Sequence, residues 1–234
     1  MAFFILYNMN VVITGCSRGI GFELVKLFSK ENKVICLSRN GDSIMELINN
    51  GRSNNIKYIP LDFLNKNEND VVNKSLLDDG IDILIHNAGF LINKPFLEIS
   101  ATELQQVYEV NVLGPFRLTQ ALMPYMNNNS HIINVSSMGG VQGSVKFPGL
   151  SSYSSSKGAL SILTECLAEE FKDKPVHINC LALGAVQTEM LEMAFPGYVA
   201  PVTPESMAGF IMNFAINTGQ FINGKIIPVS LSTP

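Results

Sequence analysis

Charge is scarce in this chain. Asp, Glu, Lys and Arg make up 15% of its 234 residues, against 47% hydrophobic. So little charge leaves apolar surface to spare, which points to contacts between subunits. A net charge of -4 and a pI near 5.4 argue against nucleic acid or an anionic membrane as the main partner. Cysteine is also sparse. Cys16, Cys36, Cys166 and Cys180 are scattered, with no Cys-x-x-Cys spacing, so the expectation is a reduced cytoplasmic protein without a disulfide framework. The three histidines, His86, His131 and His177, each stand at the edge of a strand-like run. They read as structural residues, and no metal site is expected. The one apolar opening, residues 1–7, is too short to span a bilayer and lacks a basic leader and a small-residue cleavage site. No linker, repeat or low-complexity segment interrupts the chain, so residues 1–234 are expected to form a single domain. Met9 opens a run, MNVVITG, that reads as a natural first strand, which makes residues 1–8 an expected extension.

Short apolar runs alternate with helical patterns. Strands are predicted at 10–14, 33–38, 56–61, 81–86, 131–135, 176–181 and 225–229. These are continuous Val/Ile/Leu runs, as expected of strands buried on both faces of a parallel sheet. Helices are predicted at 19–30, 43–49, 68–77, 101–126, 153–172 and 204–217. The asparagine clusters at 49–50, 54–55 and 127–129 read as caps and loops. The alternation predicts an α/β fold: a three-layer, Rossmann-type, doubly wound parallel sheet.

Between the first strand and first helix lies a turn, Thr14-Gly15-Cys16-Ser17-Arg18-Gly19-Ile20-Gly21. Glycines suit a tight turn, a close approach of backbone to phosphate, and close helix–strand packing. The helix start offers free N–H groups and a positive dipole to a pyrophosphate. Ser17, Arg18 and Ile20 belong to the same cradle. An NAD site usually ends the second strand with a carboxylate for the ribose 2′-OH. Positions 36–40 hold none; Arg39 stands there, with Arg18 in the turn. Two guanidiniums beside a 2′-phosphate favour NADP(H), with NAD(H) possible; the competing reading is two solvated surface arginines. Asp62, after the third strand, suits either a bond to the adenine amino group or a helix cap.

Tyr153 and Lys157 are four residues apart, so on a helix they share a face one turn apart. A free tyrosine has a pKa near 10, and reaching about 7 takes roughly 4 kcal/mol in favour of phenolate. An ammonium about 5 Å away contributes roughly 3 kcal/mol at an effective dielectric of about 20. The helix start and a nicotinamide cation are expected to supply the remainder. Alone, such a pair also suits an exposed amphipathic helix.

Together these pieces resemble the short-chain dehydrogenase/reductases over nearly the whole length. The matching pieces, in the family's order, are Thr14-Gly15-x-x-x-Gly19-x-Gly21, Asp62, Asn87-Ala88-Gly89, Asn111, Ser136-Ser137, Tyr153-x-x-x-Lys157 and Gly184-x-Val186-x-Thr188. The resemblance implies seven strands, an NAD(P) cofactor and a catalytic set of Asn111, Ser137, Tyr153 and Lys157. It implies Asn87, Ala88, Gly89, Val186 and Thr188 at the cofactor, with Lys157 on its ribose and Asn111 holding a water that serves Lys157. It also implies a homodimer or homotetramer through the two long helices. The chain departs from the family pattern in three places. His86 precedes Asn87 where a second asparagine is common. Leu183 replaces a proline before Gly184, which predicts a more mobile loop. The gap from Ser137 to Tyr153 is about three residues longer, with the excess near 145–147.

Substrate contacts are expected from 90–95, 138–149 and 190–201, where Met190, Leu191, Met193, Phe195 and Tyr198 suggest an apolar or mixed small molecule. Plain core packing of a short helix fits the same residues. The expected activity is hydride transfer between the nicotinamide and a carbonyl or alcohol. The alternatives are a non-catalytic NADP(H)-binding module and an epimerase that uses the cofactor transiently.

Overall fold

A computed structural model describes residues 8–52, 55–65 and 79–231. The expected extension at 1–8 falls outside these residues except for Asn8, and the expected helix at 68–77 falls outside them entirely. Seven strands form one sheet: β1 Asn10–Thr14, β2 Lys33–Ser38, β3 Ile56–Pro60, β4 Ile81–His86, β5 Met126–Ser137, β6 Val176–Leu183 and β7 Ile226–Val229. Every pairing is parallel, in the order β3-β2-β1-β4-β5-β6-β7. The seven strand segments read from the sequence are the seven observed, with the same ends for β1, β2 and β4 and shifted ends for the other four.

Both faces of the sheet are covered. Successive strand residues point to opposite sides. Val11 and Ile13 pack with Leu24 and Phe28 of α1 (Gly19–Phe28) and with Ile211 and Phe214 of the C-terminal helix. Val12 and Leu84 pack instead with Leu118 and Leu122 on the other side. None of Val11, Val12 and Ile13 is more than 1% exposed, which is why β1 carries no polar alternation.

The remaining helices are α2 Asp42–Leu47, α3 Ala101–Tyr108, α4 Gly114–Leu122, α5 Ser151–Glu170, α6 Glu189–Ala194 and α7 Pro204–Asn217. The single helix expected at 101–126 is interrupted. It opens on a capping box, in which the Ser100 side chain accepts from Glu103 N and the Glu103 side chain reaches back. It widens to a π turn at Glu109–Leu113, restarts with Pro115 in the first turn of α4, and stops before Pro124. The asparagines at 127–129 start β5 rather than a loop. Asn127 Nδ2 donates to Asp82 Oδ1 at 2.8 Å, so neighbours satisfy a residue type that is ordinarily poor in strands.

Because the sheet is parallel, β1, β4, β5 and β6 all deliver their C-terminal ends to one edge. A cleft runs along that edge, where the strand order reverses beside β1.

Candidate active site

The cleft has a volume of about 970 Å³. All the catalytic and cofactor residues singled out in the sequence line it, except Gly21 and Asn111; of the expected substrate contacts, Met190, Leu191 and Phe195 line it, and Met193 and Tyr198 do not.

Gly21 acts from beneath. A Cβ there would lie 2.1 Å from the Gly15 carbonyl oxygen, so α1 can start against the turn only with glycine. Gly15 has φ +71° and a Cβ on it would meet Ala88 Cα at 2.7 Å. The Asn87 amide closes the turn by donating to Thr14 O at 3.1 Å and Gly15 O at 3.0 Å. Sequence reasoning missed Asn40, Asp42 and Ser43, which line the same end; the Ser43 hydroxyl donates to Ser17 O at 2.7 Å. They lie in or just beyond the window searched for a carboxylate, and Asp42 supplies one.

The two arginines differ. Arg39 is exposed at the end of β2, and its guanidinium has no hydrogen bond or ion pair among the described residues. Arg18 is ion-paired with Glu189, the first residue of α6; both side chains are more than half exposed. Asp62 lines the cleft and also caps a turn, accepting from Leu64 N at 3.1 Å and Asn65 Nδ2 at 3.3 Å.

Tyr153 and Lys157 lie one turn apart on α5. Ser136 docks this helix on β5 by donating to Lys157 O at 2.8 Å. The phenol is half-buried on the cleft wall. Burial pushes its pKa up to about 12, against a downward pull from the Ser137 hydroxyl that it meets. Lys157 is 3% exposed, and burial brings its pKa down to about 8. Its ammonium donates to Val135 O at 2.8 Å and lies 5.9 Å from the centre of the Tyr153 ring. The protein's own groups do not by themselves produce the expected acidified phenol: desolvation dominates at the hydroxyl, and the neighbouring ammonium is itself desolvated and turned to a backbone carbonyl.

Asn111 is fully buried in the π turn. Its amide donates to Phe90 O and to Ser156 Oγ, both at 2.9 Å, and its oxygen accepts from Phe90 N at 2.8 Å. Both amide N–H donors are therefore taken, and the side chain ties the loop after β4 to α5. Ser156, inside the Tyr153–Lys157 spacing, was missed as this partner.

The departures also resolve. His86 is buried, its Nε2 meets Thr119 Oγ1 at 2.8 Å, and burial with the charge of Lys157 brings its pKa down to about 3. Leu183, where the resemblance led us to expect a more mobile loop, is buried at the end of β6, and Gly184 N donates to Val229 O at 2.8 Å. The Thr188 hydroxyl caps α6 by accepting from Leu191 N at 3.3 Å. The longer loop does reach the cleft, through Val145 and Phe147.

The cleft stays open beside Lys157. A Cβ at Gly89 would meet Met190 Cε at 3.5 Å, Lys157 Nζ at 3.7 Å and Asn111 Oδ1 at 3.8 Å, so glycine keeps open the space they bound.

The short chain dehydrogenase family model matches residues 9–198. The ketoacyl reductase HetN of Nostoc is 31% identical over 240 residues, covering 97% of this chain and 83% of that protein. A short-chain dehydrogenase of Shigella flexneri solved with NADP superposes with a TM-score of 0.86 at 25% identity, covering 95% of this chain and 97% of that one. A 4-hydroxyisoleucine dehydrogenase solved with NADH has the same fold, with a TM-score of 0.84 at 24% identity and coverage of 95% and 97%.

Proposed function

Because the chain belongs to the short-chain dehydrogenase family and is an NAD(P)-dependent oxidoreductase, we propose that it reduces the carbonyl of a small molecule, or oxidises the alcohol, preferring NADP(H) and using Tyr153 as general acid and base. One observation carries this reading: the Tyr153 phenol meets the Ser137 hydroxyl on the wall of the cleft that holds the glycine turn.

In reduction, Tyr153 gives its proton to the substrate oxygen. Ser137 donates to the same oxygen and fixes its position. A bound nicotinamide supplies the hydride to the carbon. Lys157 holds the ribose hydroxyls and lends positive charge toward the phenol. Asn111 keeps the loop after β4 and α5 in register through Phe90 and Ser156. A phenol at about 12 keeps its proton until an alkoxide forms beside it, which suits a donor.

The NADP(H) preference rests on Arg39, whose guanidinium is free to take a 2′-phosphate, with Arg18 lining the same cleft. A second reading, NAD(H), draws on two facts: Glu189 neutralises Arg18, and Asp42 brings a carboxylate to the same end. We place the protein in the cytoplasm as a homodimer or homotetramer. Leu113 (44% exposed), Phe116 (44%) and Ile162 (57%) give the helices on that side an apolar face for a second copy.

The test is an oxidation screen with NADPH and NADH over aldehydes, ketones, quinones and oxo-acyl thioesters. Stoichiometric consumption with a carbonyl is the expected result. Tight cofactor binding with no consumption across the panel would return the reading to a binding module.

A further inference from the structure

The substrate half of the cleft is built from apolar side chains. Phe90, Met138, Phe147, Met190, Leu191 and Phe195 all line it. The basic residues lining the cleft are Arg18, Arg39 and Lys157. Arg18 pairs with Glu189, Arg39 ends β2 at the nucleotide end, and Lys157 donates to Val135 O. Two lysines stand near the mouth, and neither lines the cleft. Lys94 Nζ reaches the Glu103 carboxylate at 3.0 Å, and Lys146 Nζ is turned onto its own loop, 2.7 Å from Val141 O. Among the described residues, no unpaired basic side chain lines this side of the cleft to meet a phosphate-bearing substrate.

Three segments meet here. The Phe147 ring, on the longer loop, stands edge-to-face on Phe195, just beyond α6, with centres 5.1 Å apart and planes at 78°. Asn93 Nδ2 donates to Ala194 O at 2.8 Å, and Lys94 N donates to Gly149 O at 3.0 Å. The loop after β4, the longer loop and the end of α6 are thus joined around one opening. Val145, which also lines the cleft, and Met193, two residues before Phe195, are each 59% exposed.

We propose that Phe147 and Phe195 form an apolar collar that selects an uncharged ketone or aldehyde bearing an alkyl chain, the carbonyl at Tyr153 and the chain passing the ring pair toward Val145 and Met193. The proposal rests on the reading of Tyr153 as proton donor. The physical chemistry of the pair fits such a ligand. Edge-to-face rings hold their shape without polar groups, and thioether side chains adapt to chains of different length. Phe147 belongs to the loop that is longer than the family pattern, so one half of the collar comes from a segment that departs from that pattern.

The experiment uses methyl ketones from butanone to decanone, and acetoacetyl-CoA as the anionic comparison. It measures kcat/KM with the wild type and with Phe147→Ala, Phe195→Ala and Phe195→Leu. In the wild type kcat/KM rises by roughly threefold per added methylene until the chain clears the collar. The two alanine variants flatten that slope and lose about tenfold on decanone relative to butanone. Phe195→Leu keeps most of the apolar bulk and retains part of the slope. A slope unchanged in both alanine variants would overturn the collar, and so would a preference for acetoacetyl-CoA over the ketones. A wild type that binds NADPH but turns over no carbonyl would instead overturn the catalytic reading beneath it.

Discussion

The Lys157 ammonium lies 5.9 Å from the centre of the Tyr153 ring, yet its hydrogen bond goes to the Val135 carbonyl at 2.8 Å. The lysine is therefore close enough to act on the phenol through space but is not bonded to it. Burial raises the phenol from 10.0 to about 12 and depresses the ammonium from 10.5 to about 8, so their ordinary order is inverted. The acid is weaker and the cation less secure. Reactivity at this pair depends on what enters the cleft.

Removing the phenolic hydroxyl should isolate its role. Tyr153→Phe is expected to keep the fold and NADPH affinity while turnover falls roughly a hundredfold to ten-thousandfold. Steady-state rates beside a fluorescence titration of NADPH check it, and near-normal turnover would remove Tyr153 from the chemistry.

Lys157 should weigh on stability. Its folded pKa, about 8, is depressed from 10.5, so the unfolded chain holds the proton more tightly. Stability therefore rises as pH climbs from about 8 to about 10.5, and at neutral pH the burden is fully present. Lys157→Met is expected to unfold later in the ligand-free state, by about 1–3 kcal/mol after the lost bond to Val135, while turnover collapses. Thermal denaturation at neutral pH is the measurement, and a less stable variant would contradict the sign.

Two histidines set an acid limit. His86 and His131 are depressed from 6.5 to about 3 and about 4, chiefly by burial. His131 donates from Nδ1 to Ala215 O at 3.0 Å and accepts at Nε2 from Asn179 Nδ2 at 2.9 Å, so a second proton would face another donor. Their contribution is complete above pH 6.5 and is lost as pH falls toward these folded values. Each adds a slope of about 1.4 kcal/mol per pH unit in that window. His131→Gln should remove about half the combined slope in denaturant titrations between pH 6.5 and pH 4, the range its own shift spans.

The proposed preference for NADP(H) is tested at Arg39. Arg39→Ala is expected to weaken NADPH by roughly tenfold to a hundredfold and leave NADH unchanged. Glu189→Gln, which frees Arg18, should tighten NADPH further. Equal losses for both nucleotides on Arg39→Ala would favour the NAD(H) reading.

Phe116→Glu combined with Ile162→Glu should shift sedimentation to the monomer if the apolar helix face joins two copies. An unchanged sedimentation coefficient would move the interface elsewhere.

Much of this architecture was legible because parallel strands write themselves as unbroken apolar runs, as in Val11–Ile13 of β1 and Ile83–Ile85 of β4. The break in the 101–126 helix was less so. Pro115 is tolerated in a first helical turn, so its presence does not say whether a helix begins there or merely continues. At the site, the four-residue spacing of Tyr153 and Lys157 announced the pair. The sign of their pKa shifts did not follow from spacing, since it depends on which atoms surround them. The pairing of Arg18 with Glu189 joins residues 171 positions apart, beyond any local pattern.

The sheet has one further consequence. Its strands all exit toward the cleft, and they enter at the opposite rim, where Asn10 N donates to Asp82 Oδ2 at 2.8 Å. Substrate scope can thus drift through the loops of one rim while robustness is tuned at the other, and an engineer can recombine the two sets of changes with little interference between them.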